Sequence, residues 1–346
     1  MPFQNKFPLY FPYRKNEEHN GKSIIAADVK QDKTVLAHFT SNGGKLTQNH
    51  RREYLTKEFS CFSDMLKLFL RDVAIEKTDK ISVSVPGPVM NGFCVTQHLP
   101  FELSETIIKT KTSIENVYLI NDVEALAYGV GGMQENDFQV IHQGNSKIRG
   151  NVAIIAPGKG LGEAGMFWDG TFLRPFATEG GHSEFSPRTD EEVEFYQFLK
   201  KIYGIVTWES VLSYEGIFNI FRFLRDVKHQ RETNVNFTDS SCYQEIIKEG
   251  LSGNDRTCVM ALERLSEFIA REAHSLTLKL KSVGGLIITG DIVKSIEICL
   301  KNSNFYENFI VSDKMENILC NTPIYLLTNG EANLLGAAYY GAFGTN

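Results

Sequence analysis

Residues 156–185 read APGKGLGEAGMFWDGTFLRPFATEGGHSEF, and the rest of the chain is read outward from them. An apolar run at 152–155 (VAII) precedes this stretch and predicts a buried strand. Gly158, Gly160 and Gly162 follow at once, and glycines there let backbone N–H groups approach an anion with no Cβ in the way. Asp169-Gly170 marks a hairpin-like turn. Glu179 and His182 then flank two glycines, and a carboxylate beside an imidazole can grip a polyol through hydrogen bonds. A phosphate cradle and a polyol grip in one short stretch point to phosphoryl transfer to a sugar.

On either side, short apolar runs alternate with helical patterns. Residues 23–28 (SIIAAD) predict a strand ending in a carboxylate, with 34–39 as its hairpin partner across a turn at 30–33. Residues 62–75 carry Phe62, Met65, Leu66, Phe69 and Val73 at helical spacing. Strands are predicted at 81–85, stopping at Pro86-Gly87-Pro88, and at 117–120, ending in Asn121-Asp122 before a helix over 123–129. Asn91-Gly92 is a hairpin signal. Thr189-Asp190-Glu191-Glu192 opens a helix, with acidic residues in the first turn, and further helices are predicted over 210–226, 240–249 and 254–281. Strands at 285–289 and 323–327 and a helix from 333 complete the pattern. This alternation predicts an α/β protein with mixed sheets, two related cores around one cleft, and ligands at the carboxyl ends of strands.

The composition excludes several classes of function. At 346 residues two domains are expected, a small one from 1–121 plus 333–346 and a large one from 122–332. The net charge of −6 argues against a nucleic-acid partner. No apolar run reaches the roughly 18 residues that would span a membrane, and the aromatic first fifteen or so residues lack a continuous secretory core, so a cytoplasmic protein is expected. Six scattered cysteines with no CxxC and no nearby histidine at ligand spacing suggest buried thiols rather than a zinc site or a disulfide framework.

Taken one at a time, the polar motifs each allow two readings. Asp122, after a buried strand, can accept a hydroxyl proton, with Asn121 beside it on the same sugar; equally, Asn121-Asp122 can cap the following helix. Glu179 and His182 can bind hydroxyls or belong to a β-turn with a neighbouring salt bridge. Glu209 can be a ligand or an acid in the first turn of a helix. The Gly158–Gly162 loop lacks GxxxxGK[ST] and opens no βαβ unit with a downstream acid, so neither a P-loop nor a Rossmann site is supported.

As an ordered set, these residues resemble the bacterial-type glucokinases of the sugar kinase–actin–heat-shock ATPase superfamily, over about residues 23–342. The matching pieces are Asp28, Pro86-Gly-Pro88, Ile120-Asn-Asp122, Pro157-Gly-Lys-Gly-Leu-Gly162 and Glu179-Gly-Gly-His182 with its continuation to Pro187. They go on through Tyr203-Gly204, Glu209-Ser-Val-Leu-Ser213, Gly290-Asp-Ile292 and Asn333-Leu-Leu-Gly336. The cysteine-rich zinc motif of the related ROK kinases is absent from the sequence. The resemblance implies a two-domain ribonuclease-H-like (actin-like ATPase/hexokinase) fold with a cleft between the domains, and domain closure over the substrates. It implies ATP-dependent phosphorylation of glucose or a related hexose at the 6-hydroxyl, and a homodimer. Asp122 would be the general base, and Asn121, Glu179, His182 and Glu209 would hold the sugar. Gly158, Lys159, Gly160, Gly162 and Gly290 would meet the nucleotide, and Asp28 would organise Mg²⁺ through water.

The sequence departs from the family pattern mainly in the nucleotide half. Lys30-Gln31-Asp32 replaces the family's Gly-Gly-Thr, and Asp32 adds negative charge beside a polyphosphate, which Lys30 and Lys33 can offset. Asp291 stands at a second glycine position, Lys159 at a threonine and Tyr214 at a glycine, while Thr96-Gln97-His98 replaces a Thr-Asn. Two functions therefore stay open, a working hexose kinase with an altered nucleotide site and a non-catalytic sugar-binding or regulatory paralogue; an actin-like scaffold would leave the sugar ligands without purpose.

Overall fold

The structure is a computed structural model that describes residues 7–94, 96, 99–145, 147–230, 239–302 and 304–345; the departures at Gln97 and His98 and the aromatic Phe3 lie outside them. It divides into two compact units. The first comprises residues 1–135, 171–177 and 329–346, and the second 136–170 and 178–328.

In the first unit, β1 (Ser23–Val29), β2 (Lys33–Asn42), β3 (Lys45–Leu55), β4 (Lys80–Val85) and β8 (Val117–Asn121) form a sheet in the order β3-β2-β1-β4-β8. The β1–β2–β3 meander is antiparallel, whereas β1, β4 and β8 run parallel. All six residues of β4 are buried, which is the pattern of a central strand covered on both faces. Helix α1 (Phe62–Asp72) presents Phe62, Met65, Leu66 and Phe69 to Ile25, Leu36, Ile81 and Val83. Full burial of side chains of this size contributes about 1.5–3 kcal/mol each. A small antiparallel sheet of β5 (Val89–Met90), β6 (Phe93–Cys94) and β7 (Leu103–Ser104) leads into α2 (Glu105–Thr112). Helix α3 (Asp122–Val130) packs against α12 (Ala332–Tyr339), and Asn333 Nδ2 donates to Asp122 O at 2.9 Å. That packing carries the first unit through Glu135, beyond the expected boundary at 121.

The N-terminal arm packs on the same unit. Phe7, Leu9 and Phe11 are buried, and Phe11 stacks on Tyr339 at 5.5 Å while Tyr13 stacks on His19 at 5.1 Å.

The second unit repeats the same mixture of pairings. Its sheet runs through β11 (Leu161–Trp168), β10 (Val152–Pro157), β13 (Gly285–Ile288), β14 (Ile324–Leu327) and β9 (Phe138–His142) as successive neighbours. The β10–β11 hairpin is antiparallel, β10, β13 and β14 are parallel, and β9 returns antiparallel. β12 (Leu173–Thr178) follows β11, and the isolated bridge of Leu173 to Leu9 lies within the first unit. Helices α4 (Asp190–Tyr203), α5 (Tyr214–Arg222), α6 (Tyr243–Ser252) and α7 (Arg256–Leu280) build the largest core, with Phe185, Phe195, Phe221 and Phe268 in it. Short helices α8 (Asp291–Ser295), α9 (Glu297–Asn302), α10 (Phe305–Ile310) and α11 (Glu316–Asn321) fill the crossover between β13 and β14.

Helix starts follow local chemistry. Helix α4 starts after Thr189, as the sequence predicts, and Thr189 and Glu192 form a reciprocal capping box there. Helix α5 begins at Tyr214 and not at 210, because Ser213 takes the cap by accepting the Gly216 amide at 3.1 Å. All six cysteines are free thiols, and no helix among the described residues is long and apolar enough to cross a membrane.

Candidate active site

Two groups of side chains, one in each unit, gather the predicted site residues. In the first unit the parallel register pairs Asp28 with Ser84 and Ser84 with Ile120, so Asp28, Ser84 and Asp122 come together at the carboxyl ends of β1, β4 and β8. Asp28 is buried; Ser84 Oγ donates to its Oδ1 at 3.1 Å, and Lys30 Nζ lies 3.9 Å from its Oδ2. Asp122 is half-buried. Burial, then the neighbouring Asp28 carboxylate, pushes its carboxyl up to about 7, against the opposing pull of the Val123 amide and the Lys30 ammonium. A carboxyl raised to that range is suited to accept a proton near neutrality.

Asn121 performs the capping role. Its Oδ1 accepts from the Val123 and Glu124 amides at 3.0 and 3.2 Å, and its Nδ2 donates to Gly87 O at 3.1 Å. One Nδ2 hydrogen remains for another acceptor. Capping by Asn121 and a role in chemistry for Asp122 are therefore compatible.

The Asp28 carboxylate fits a Mg²⁺ held through water, because such an ion keeps several waters and takes one or two carboxylates together with substrate phosphates, although Lys30 Nζ at 3.9 Å competes for the same carboxylate. Among the described residues no group of three or more His, Cys, Asp or Glu side chains could hold a metal directly. The turn at Lys30 to Asp32 is held by Thr56, whose amide donates to Asp32 O at 3.1 Å and whose hydroxyl donates to Lys30 O at 2.7 Å. None of its residues has positive φ, so side chains are accommodated where glycines were expected.

In the second unit, the Glu179–His182 turn and the glycine loop are tied together by one segment. Trp208 N donates to Ser183 O at 3.0 Å and Glu209 N to Gly181 O at 2.9 Å, laying residues 206–209 alongside 181–185. Glu209 Oε2 in turn accepts the Leu161 amide at 2.9 Å. Glu179 and His182, at the ends of a short 3₁₀ turn, present exposed side chains, and neither enters an ion pair among the described residues. A salt bridge therefore does not explain them. A Cβ on Gly160 would lie 2.4 Å from Glu209 Oε2, so a larger residue there would displace the carboxylate that holds the Leu161 amide. Gly162 pairs with Ala156 in the β10–β11 hairpin, and Lys159 is exposed.

Beside this loop the unexpected residues contact each other. Tyr214 OH donates to Asp291 Oδ2 at 3.2 Å, and its ring stacks on Tyr243 at 4.0 Å, nearly parallel. Its amide donates to Gly158 O at 2.9 Å. Gly290, just before Asp291, has φ +103°, and a Cβ on it would lie 2.4 Å from Pro157 O.

The sequence profile of the glucokinase family matches residues 25–342. The chain belongs to that family. It is 30% identical to a glucokinase of Nostoc sp. strain PCC 7120 over 333 residues, 91% of this chain and 97% of the relative. The fold of this family member matches that of a glucokinase from an Antarctic psychrotroph at TM-score 0.80 and 24% identity, covering 92% of this chain and 98% of that one. It also matches a glucose complex of the Balamuthia mandrillaris glucokinase at TM-score 0.78 and 17% identity, covering 97% of both chains. The architecture is thus the mixed α/β fold of the actin/hexokinase superfamily, and the chain is a sugar-kinase-like protein.

Sequence reasoning missed Ser84 and Thr56, and the contacts though not the residues Asn333 and Tyr214: Ser84 orients Asp28, Thr56 holds the rewritten turn, Asn333 anchors the backbone at Asp122, and Tyr214 reaches Asp291. The parallel register pairs Ser84 with Asp28, but no spacing in the sequence signals the other three contacts.

Proposed function

We propose that the protein phosphorylates glucose at its 6-hydroxyl, with MgATP as donor. The observation that carries this reading is the placement of Asp122 at a strand end beside Asp28, with its carboxyl raised to about 7. Glu179, His182, Glu209 and the free hydrogen of Asn121 Nδ2 orient the sugar. Asp122 accepts the 6-hydroxyl proton as that oxygen attacks the terminal phosphorus, and the anhydride oxygen leaves. Gly158, Gly160 and Gly162 turn backbone toward the phosphates, Lys159 adds a cation, and Gly290 lies by the nucleotide. Asp28 would hold Mg²⁺ through water, and the ion would supply neutralisation of phosphate charge. The enzyme acts in the cytoplasm as a homodimer.

A coupled assay with purified protein tests the reading, with turnover of glucose and MgATP expected. No turnover with ATP, GTP, ADP or polyphosphate would sink it.

One observation favours a second reading, a sugar-binding paralogue with weak nucleotide binding. The Tyr214–Asp291 hydrogen bond and the Tyr214–Tyr243 stack crowd the glycine loop and add a carboxylate where phosphates would need to come. Calorimetry separates the two, because this reading requires glucose binding without MgATP binding.

A further inference from the structure

Strand β11 and helix α7 each contribute one buried carboxyl beneath the Glu179–His182 turn, and the chemistry above uses neither. Glu163 is 2% exposed and Glu272 fully buried. Glu163 Oε1 and Glu272 Oε2 have no N–H donor among the described residues, and the two side chains interact with each other. Two carboxylates cannot hydrogen-bond, whereas a carboxylic acid and a carboxylate can.

The other oxygen of Glu163 lies against the turn itself. A Cβ on Gly180 would be 2.0 Å from Glu163 Oε2, so the turn's backbone rests directly on this carboxyl. Thr178 Oγ1 donates to Glu163 O at 3.0 Å and accepts the Gly180 amide at 3.2 Å. Glu163 also follows Gly162 and pairs across the hairpin with Ile155. Helix α7 holds the far side of the same segment, with Arg271 Nη2 donating to Ser186 O at 2.7 Å.

We propose that Glu163 and Glu272 are positioning residues for the hexose: one proton held between them seats β11 and α7 against the Glu179–His182 turn, and its loss weakens hexose binding. This rests on the reading of Glu179 and His182 as sugar ligands. Burial raises both carboxyls well above the usual range, and for Glu272 the neighbouring Glu163 adds to it. The charged groups acting on the pair are Lys279, with Nζ 3.5 Å from Glu272 Oε1, and Arg271, adjacent to Glu272 on α7. With one proton the pair carries a single negative charge, which Lys279 balances. With none, two buried like charges repel across the layer that supports the turn. Because the protonated pair favours the bound form, hexose binding takes up protons at and above neutrality.

The test is calorimetry of glucose binding to the wild-type protein in two buffers of different ionisation enthalpy, repeated with Glu163→Gln and Glu272→Gln. A glutamine replaces the protonated partner, keeps its hydrogen bond and leaves the net charge of the pair unchanged. Wild-type glucose affinity should fall on the order of tenfold between about pH 6.5 and about pH 9, with measurable proton uptake on binding. Each glutamine variant should bind glucose with an affinity that varies less than about twofold over the same range. An unchanged pH dependence in the variants, or no proton uptake in the wild type, overturns the proposal while leaving the sugar site intact. Absence of glucose binding at every pH overturns both the sugar-ligand reading and this one. If the variants fail to fold, proton uptake on glucose binding by Asp122→Asn, which lacks the other carboxyl raised toward neutrality, decides: uptake supports the proposal and its absence overturns it. Loss of turnover with binding and proton uptake retained supports the proposal and counts only against the kinase reading.

Discussion

Glu209 Oε2 accepts the amide hydrogen of Leu161 at 2.9 Å, so a candidate sugar ligand also holds the backbone at the end of the glycine loop. The same residue's amide bonds to Gly181 O at 2.9 Å, within the Glu179–His182 turn. A change at Glu209 should therefore be felt by both partners of a phosphoryl transfer.

Replacing Glu209 with alanine leaves the Leu161 amide without its acceptor, a loss of about 1–3 kcal/mol at a buried position. We expect a lower melting temperature together with weaker binding of glucose and of MgATP. Glu209→Gln keeps an acceptor oxygen and should recover most of the stability but not the full glucose affinity. Thermal melts and two calorimetric titrations check this. A Glu209→Ala protein that lost glucose affinity alone would show the loop contact to be immaterial.

Asp122→Asn should reduce kcat by about 10²–10⁴-fold while glucose still binds, as expected for the loss of a general base. In the wild type the base has to be ionised, so activity is lost as pH falls through about 7. Asp28 helps to raise the Asp122 carboxyl, so Asp28→Asn should move this acid limb to lower pH, whatever it does to the absolute rate. A pH–rate profile of each protein reads the shift, and an unmoved limb in Asp28→Asn would argue against Asp122 as the titrating group.

The Tyr214–Asp291 contact makes a prediction on the nucleotide side. Tyr214→Gly removes both the 3.2 Å hydrogen bond and the stack on Tyr243, opening space beside Gly158. We expect MgATP affinity to rise, and to rise further when Asp291→Gly removes the carboxylate, while glucose affinity stays as it was. Nucleotide titration of the single and double variants is the measurement. Weaker MgATP binding in both would identify the tyrosine as a nucleotide contact in its own right.

Gly290→Ala should be strongly destabilising. Alanine at φ +103° is strained, and its Cβ would meet Pro157 O at 2.4 Å, a backbone atom that cannot swing aside. A cost of roughly 1–3 kcal/mol from the backbone conformation alone is expected, before the clash is counted. Chemical denaturation midpoints check it. Gly158→Ala is the control, since its Cβ would find no heavy atom closer than 3.9 Å.

Much of this molecule was legible in its residues. The strand at 23–28, a helix starting at Phe62 and the helix start at Thr189 follow from local spacing, and local interactions do form them, the helix at 62 ending at Asp72 rather than 75. β3 was not legible. Its residues, KLTQNHRREYL, are mostly exposed and polar, because an edge strand is held by backbone bonds to β2 and needs no apolar alternation. The helices of 297–321 were missed because none exceeds six residues, too few for a period to declare itself.

The candidate site divides in the same way. The order of motifs along the chain determined the family, since Asp28, Asn121, Asp122, Glu179, His182 and Glu209 stand at positions readable without coordinates. Those residue types also narrowed the chemistry to propose, because carboxylates, an imidazole and glycine-bared backbone can do only a few things. Tertiary structure alone decided the rest. It set the raised carboxyl of Asp122 beside Asp28, the bond from Tyr214 to Asp291 across 77 positions of sequence, and the Glu163–Glu272 pair beneath the Glu179–His182 turn. The physical reason is that a side chain's charge state and reach depend on what lies within a few ångströms of it after folding. Burial and like charge arise only when strands and helices distant in sequence are brought together.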